Sequence, residues 1–513
     1  MKRLGLVTLI VLVQAFIQTA PRAQAQRGTQ GNAGARRPNI LFILADDFGA
    51  EASSIYPSLY NASVSGGHGQ VATPTLSALA ARGVVFDTTW AAPVCSPTRG
   101  ALLTGLYGHN TSVTTVGNVL PGSTKSIFEL LAASNTSPRY KMAVFGKWHL
   151  GNDVNHVVHE TGVPLFKGFL GGLISNYYSW NLESSTAPSV NTAVYSTTAL
   201  TDFAIDFIRD QSANEPWFLY LPYNAPHGTA PNDGFQVPPA NLFSIDVGAR
   251  PPGSPTIYNG DITVYQAVIQ ALDTEIGRLF RALDQTGQLN NTVIFFMGDN
   301  GTPFSVKDRA ASRIRGSKGS VYEGGVRVPL IVAGPGVTRT GRETHLVTVP
   351  DMYATIAQLA GVPLTSNSIN NSYSIVPLLT SSQATTGRKY SFAELCPNTG
   401  AGTKQFAIRD QRYKLLYTGT AWEMFDLQSD PWETTNLYGD TRQAAPRATL
   451  LGELASLKMK AATSGCFVDI PAQESPRSSG SYDAWGGILK NQRSRLDGST
   501  SVGQDAHPIE EII

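Results

Sequence analysis

The sequence predicts an α/β protein: a large, mostly parallel central sheet flanked by helices, with a smaller C-terminal α+β subdomain containing an antiparallel sheet. Three observations predict it. Short unbroken apolar runs of strand length recur along the chain, as strands buried on both faces require. Segments of helical periodicity lie between them. Past about residue 375 the texture changes to short strands around tight turns.

The first apolar run, Asn39-Ile-Leu-Phe-Ile-Leu-Ala45, ends in Asp46-Asp47. Comparable runs follow at 143–145, 217–221, 292–297 and 329–333, with helical patterns at 73–82, 201–209 and 263–285. In the C-terminal part, 406–417 reads as two strands around an Asp410-Gln411-Arg412 turn, 422–427 as a further strand and 445–461 as a helix. The expected organisation is a catalytic α/β domain over 38–375, an α+β subdomain over 376–468 and a Ser/Gly-rich tail over 469–513.

The amino terminus reads as an export signal. Lys2 and Arg3 precede an uncharged apolar stretch, and Ala23-Gln24-Ala25 supplies a small-residue cleavage site. The strongest apolar core runs only from Leu4 to Val13, short for a spanning helix. Residues 1–25 are therefore expected to be a cleaved signal peptide and 26–37 a flexible mature terminus, giving a secreted or periplasmic protein without a stable membrane anchor. Lys+Arg 39 against Asp+Glu 38 leaves a net charge of +1, which excludes the broad basic field of a nucleic-acid binder. Three cysteines exclude a disulfide scaffold and leave one unpaired.

Two buried-strand patterns end in oxygen-bearing side chains, Asp46-Asp47 after the first and Asp299-Asn300 after Gly298. In open α/β sheets the functional crevice lies at the carboxyl ends of the strands. Four such groups meeting there suit a hard cation such as Ca²⁺ or Mg²⁺, and neither pair has a neighbouring His to suggest a transition metal. Taken alone, each pair could equally be strand-end caps or turn formers. Cys95-Ser96-Pro97-Thr98-Arg99 is expected to open a helix with Ser96 as N-cap and Pro97 near its first position. Position 95 would then face the positive end of that helix, where an anion is favoured, with Arg99 one turn further in. A packed, inert cysteine is the bland alternative.

Six blocks in order make the chain resemble the type I, formylglycine-dependent sulfatases of the alkaline phosphatase superfamily. Pro38-Asn-Ile-Leu-Phe-Ile-Leu-Ala-Asp-Asp-Phe-Gly49 is similar to their metal strand, and Cys95-Ser-Pro-Thr-Arg-Gly-Ala-Leu-Leu-Thr-Gly105 to their C-x-P-x-R signature, with Thr98 where Ser is commoner. Tyr140-Lys-Met-Ala-Val-Phe-Gly-Lys-Trp-His-Leu-Gly151 resembles their second signature, with Ala143 where Thr is usual. Gly298-Asp-Asn-Gly301, Ser317-Lys-Gly-Ser-Val-Tyr-Glu-Gly-Gly-Val-Arg-Val-Pro329 and Asp426-Leu-Gln-Ser-Asp-Pro-Trp-Glu-Thr-Thr-Asn-Leu437 complete the series.

The resemblance implies an alkaline phosphatase-like fold and a sulfuric ester hydrolase, arylsulfatase-like in reaction type. It implies that a maturation enzyme oxidises Cys95 to formylglycine, whose hydrate is the nucleophile. Asp46, Asp47, Asp299 and Asn300 would hold Ca²⁺, which also meets residue 95. Arg99 would stabilise the hydrate, Lys147 and Lys318 would neutralise the sulfate oxygens, and His149 would assist sulfate release from the covalent intermediate. His227, in Tyr223-Asn-Ala-Pro-His-Gly228, would protonate the leaving oxygen and, with the two lysines, contact the substrate. The partner is a sulfate ester, aryl or carbohydrate. If Cys95 is converted, Cys396 and Cys466 remain as a possible disulfide.

Two alternatives stay open at this level. A phosphonate or phosphodiester hydrolase could use the same formylglycine, whereas a two-zinc enzyme is disfavoured by Asp299-Asn300-Gly301 and the few histidines. A catalytically silent protein that binds sulfated glycans is the other. Tyr177, Tyr178 and Trp180 are read as core ahead of a ring-stacking surface, and His68, His109, His156 and His159 as structural or surface groups, His109 being the nearest in sequence to Arg99.

Overall fold

Strand β1 (Asn39–Ala45) is buried along its whole length. Its alternate side chains serve two separate cores: Leu41, Ile43 and Ala45 enter one hydrophobic cluster, and Ile40, Phe42 and Leu44 the other. That division is what an apolar strand covered by helices on both faces must show. The structure is a computed structural model that describes residues 36–59, 70–212, 214–230, 233–307, 312–364, 371–397, 404–460 and 470–471. The expected leader and nearly all of the tail lie outside these residues. Among them, no helix is long and apolar enough to cross a membrane.

The remaining strands in chain order are β2 (Val84–Phe86), β3 (Thr89–Trp90), β4 (Lys141–Lys147), β5 (Phe166–Phe169), β6 (Trp180–Ser184), β7 (Val190–Thr192), β8 (Trp217–Pro222), β9 (Thr292–Gly298), β10 (Leu330–Ala333), β11 (Gly341–Glu343), β12 (Val347–Thr348), β13 (Ser391–Leu395), β14 (Gln405–Arg409), β15 (Tyr413–Tyr417) and β16 (Trp422–Asp426). Ten form the main sheet in the order β11-β2-β10-β9-β1-β8-β4-β5-β6-β7. The centre, β9-β1-β8-β4-β5, is parallel throughout. Strand β10 runs antiparallel to both neighbours, although its run looks like the others. A strand buried on both faces carries no directional signal in its side chains, so the sheet is mixed towards its edges.

Helices Ser196–Arg209 and Ile262–Gln285 cover one face, contributing Leu200, Ile208, Leu272 and Ile276 to the first core. Helices Cys95–Thr104, Ile127–Ala133 and Asp351–Leu359 cover the other through Leu102, Leu131 and Ile356. The long helix begins at Asp261, whose side chain accepts from the amides of Thr263 and Val264, a cap worth about 1 kcal/mol. Strands β13 to β16 form a separate antiparallel meander over its own small core, backed by helix Ala444–Lys460. Cys396 follows this sheet's first strand and is disulfide-bonded, while Cys95 is free. Cys466 lies outside the described residues.

Candidate active site

Neighbouring parallel strands in register bring their carboxyl ends to one place. Ala45 pairs with Gly298, so Asp46-Asp47 and Asp299-Asn300 emerge side by side. Gly298 permits the approach: a Cβ there would lie 2.3 Å from the Phe48 carbonyl oxygen. The end of β4 supplies Lys147 and then His149, and the segment after β8 supplies His227 beyond a cis Ala225–Pro226 peptide. Lys318 comes from a loop tied down by its own amide to the Thr302 carbonyl (3.0 Å) and by the Gly319 amide to Pro93 (2.8 Å).

The helix carrying residue 95 starts two residues earlier than expected. Val94, extended at φ −144°, is the N-cap without a side-chain bond, and Cys95 is the first helical residue. Ser96 is therefore not the cap; its hydroxyl accepts from the Gly117 amide instead (3.1 Å). Pro97 sits in the first turn, where no intrahelical donor is lost. Cys95 faces the positive helix end, 1% exposed, with Sγ 3.5 Å from Asp46 Oδ1.

Around it stand three carboxylates and three fixed cations, all but one fully buried. Asp46 Oδ2 pairs with Lys147 Nζ (2.5 Å) and Arg99 Nη2 (3.3 Å), and Asp299 Oδ2 meets the same Arg99 nitrogen at 2.8 Å. The other terminal nitrogen of Arg99 donates to the Lys147 carbonyl at 2.8 Å. Asp47 Oδ2 pairs with Lys318 Nζ (2.9 Å), the one partly exposed member, and Asp47 Oδ1 accepts from Asn300 Nδ2 (2.7 Å). The Asp47 amide donates to Asp299 Oδ1 (3.0 Å), and Tyr265, unsingled in the sequence, donates its hydroxyl to the Asp47 carbonyl (2.8 Å). Asp47 and His149 both adopt the left-handed region, at φ 62° and 56°, a strain that concentrates at functional sites.

These charges set the titration of their neighbours. Burial alone would raise Asp46, but Lys147, His227, Arg99 and Lys318 outweigh it and hold the carboxylate far below its ordinary range. Burial and the adjacent Asp46 push Asp299 up to about 6 against the pull of Arg99 and Lys147. Burial, then Lys147 and Arg99, drive His149 well below the usual histidine value, so its ring is neutral near pH 7. Burial and Asp46 raise the Cys95 thiol, which keeps the thiolate scarce.

The donor set fits a hard cation. Ligand atoms of Asp46, Asp47, Cys95 and His227 lie within 4.8 Å of one another. Asn300 Oδ1 is buried with no hydrogen-bond partner among the described residues, an acceptor oriented by its own amide nitrogen's bonds to Asp47 and the Gly301 carbonyl. Carboxylate and amide oxygens of this kind suit Ca²⁺ or Mg²⁺. With three carboxylates already balanced by three cations, a divalent ion would give the pocket a positive excess, matching an anionic ester.

These contacts join Asp46, Asp47, Cys95, Arg99, Lys147, His227, Asp299, Asn300 and Lys318, while His149 follows Lys147 by two residues and feels the charges of Lys147, Arg99 and Asp46. Asp233, near His227, carried no signal in its Pro/Gly/Asn-rich loop. Tyr177 is core, 1% exposed, with its hydroxyl on the His227 carbonyl (2.6 Å). Tyr178 and Trp180 pack beside Tyr195 and Phe169. His109 is buried against Glu394 of β13 (2.9 Å) and His156 bonds the Leu120 carbonyl, so neither belongs to the site. His68 lies outside the described residues.

This constellation on this fold is that of a sulfuric ester hydrolase. The chain belongs to the sulfatase family: the family model "Sulfatase" matches residues 38–362, and "N-sulphoglucosamine sulphohydrolase, C-terminal" matches 317–460. It is 28% identical to a "Sulfatase" of Formosa agariphila over 79% of this chain and 85% of that one. It is 28% identical to arylsulfatase A of Homo sapiens over 83% and 88% of the two chains. Among solved structures, that of Ps i-CgsB in complex with k-i-k-neocarrahexaose superposes with a TM-score of 0.70 at 25% identity, over 84% of this chain and 95% of that one.

Proposed function

We propose that this sulfatase hydrolyses sulfate monoesters, releasing an alcohol or phenol and sulfate, with residue 95 acting as formylglycine and Ca²⁺ held by Asp46, Asp47, Asp299 and Asn300. The observation that carries the reading is the ring of balanced buried charges around Cys95 at a helix start. When present, the hydrated aldehyde supplies an oxygen nucleophile and the cation a Lewis acid for a sulfate oxygen. The raised thiol supports this view, because an unmodified Cys95 would have little thiolate to attack with.

The chain's own groups do the remaining work. Lys147 and Lys318 approach the pocket as fixed cations and bind the nonbridging sulfate oxygens, whose charge they stabilise without reorganisation. Arg99, spanning Asp46 and Asp299, orients the carboxylates and the group at position 95. Neutral His149 is fit to accept a proton during sulfate release. His227, beside Lys318, delivers a proton to the leaving oxygen. Export through cleavage near Gln26 agrees with the tripartite amino terminus and places the ester outside the cytoplasm.

Hydrolysis of an aryl sulfate, compared with its phosphonate monoester and phosphodiester analogues, tests the reaction class. The expected result is the highest kcat/KM for the sulfate. A strong phosphonate preference would overturn the reading in favour of a formylglycine-dependent phosphonate hydrolase.

A further inference from the structure

We propose that Asp233 is a positioning residue for His227, fixing the ring that protonates the leaving oxygen; the inference rests on the role given to His227 above. Lys318 Nζ lies 2.9 Å from His227 Nε2. An ammonium has only N–H groups to offer, so Nε2 is the acceptor and the ring proton resides on Nδ1. Nδ1 donates to the Gly228 carbonyl at 2.9 Å. Asp233 Oδ1 stands 3.2 Å from the same nitrogen and, among the described residues, has no hydrogen-bond partner of its own. The Gly228 carbonyl and the Asp233 carboxylate thus flank Nδ1 and together set the direction of the ring.

Two backbone features bring Asp233 there. Its φ of 52° is left-handed, a conformation Asp tolerates better than most residues. Gly228 leaves the space: a Cβ on it would lie 2.3 Å from the Asp233 carbonyl carbon and oxygen and 2.6 Å from Oδ1. Reciprocal backbone bonds between Thr229 and Gly234 (2.8 and 3.2 Å) close the loop around this contact.

In the step served, the sulfur–oxygen bond to the leaving group breaks and its electron pair stays on that oxygen. By then Lys318 Nζ has turned from Nε2 to a sulfate oxygen, and the ring has taken up a solvent proton on Nε2. The leaving oxygen takes that proton, leaving the neutral ring protonated on Nδ1, the tautomer deduced from the Lys318 contact. Asp233, beside Nδ1, keeps the ring aligned so that Nε2 faces that oxygen throughout. An alkyl alcohol needs this proton far more than a nitrophenol, which leaves readily as an anion.

The test is kcat/KM of the matured enzyme with an alkyl sulfate and with 4-nitrophenyl sulfate. Asp233→Asn, nearly isosteric, is expected to lower the alkyl-to-aryl ratio about 10- to 100-fold. Gly228→Ala, which pushes Asp233 away, is expected to lower it in the same sense, and His227→Ala to lower it most. If His227→Ala depresses both substrates equally, the acid role of His227 fails. If His227→Ala is selective while Asp233→Asn leaves the ratio unchanged, the positioning role alone is overturned.

Discussion

Cys95 is a poor thiolate in a site built for an anion, because burial and Asp46 outweigh the nearby Lys147 and Lys318. Cys95→Ala should therefore fold normally yet lose sulfate-ester turnover to background, checked by paired melting and sulfate-release assays; residual turnover near the parent level would contradict a nucleophile at this position. Asp299 gives a pH prediction. Its folded value of about 6 lies above the ordinary carboxylate value of 3.8, so the metal-free fold binds more protons than the unfolded chain between these limits. Metal-free protein should accordingly lose stability as pH rises from about 4 to 6, and Ca²⁺ should cancel that loss. The melting-temperature gap between calcium-loaded and chelator-treated protein is expected to widen across that interval and then level off; a gap independent of pH would contradict it. At this scale the sequence was informative wherever a residue sat at a strand end or inside a patterned block. Asp233 was illegible because its role depends on a loop turning back, at positive φ, onto a glycine five residues earlier in the chain.

Adjacent strand ends and close-packed loops position these groups, and glycine makes the contacts possible. Gly301 follows Asn300, and a Cβ there would stand 1.9 Å from the Gly324 carbonyl oxygen, in the segment that also carries Lys318. Gly301→Ala is expected to destabilise by about 2–3 kcal/mol through overpacking and to raise KM for sulfate esters, read from denaturation curves and steady-state kinetics. Wild-type stability and KM would show that the two segments separate freely. The central parallel strands and long helices were readable because burial on both faces and helical periodicity are local properties. The direction of β10 and the short strands β5 to β7 were not, since these are fixed by partners distant in sequence. The missed start of the Cys95–Thr104 helix has a similar origin: Ser96 looks like a cap in isolation, but its hydroxyl is taken by Gly117.

Across the whole molecule, the C-terminal sheet braces the segment that carries Lys318. Lys414 on β15 is fully buried between Glu433 (2.7 Å) and Glu323 (3.2 Å), and the Glu323 amide donates to Glu433 Oε2 at 2.7 Å. Glu323 lies five residues beyond Lys318, so the network links the meander to the site. Glu433→Ala would leave a buried ammonium half-paired and should cost about 3–5 kcal/mol, measured by urea denaturation. A change below about 0.5 kcal/mol, typical of an exposed position, would refute the bracing. The change of texture past residue 375 announced a second sheet, whereas the buried ion pairs that join it to the first were visible only in three dimensions. The central claim concerns position 95, and its most direct test is mass analysis of the tryptic peptide 83–99 from a preparation that hydrolyses sulfate esters. The account predicts formylglycine in place of cysteine in proportion to specific activity; full activity with only unmodified Cys95 would contradict it.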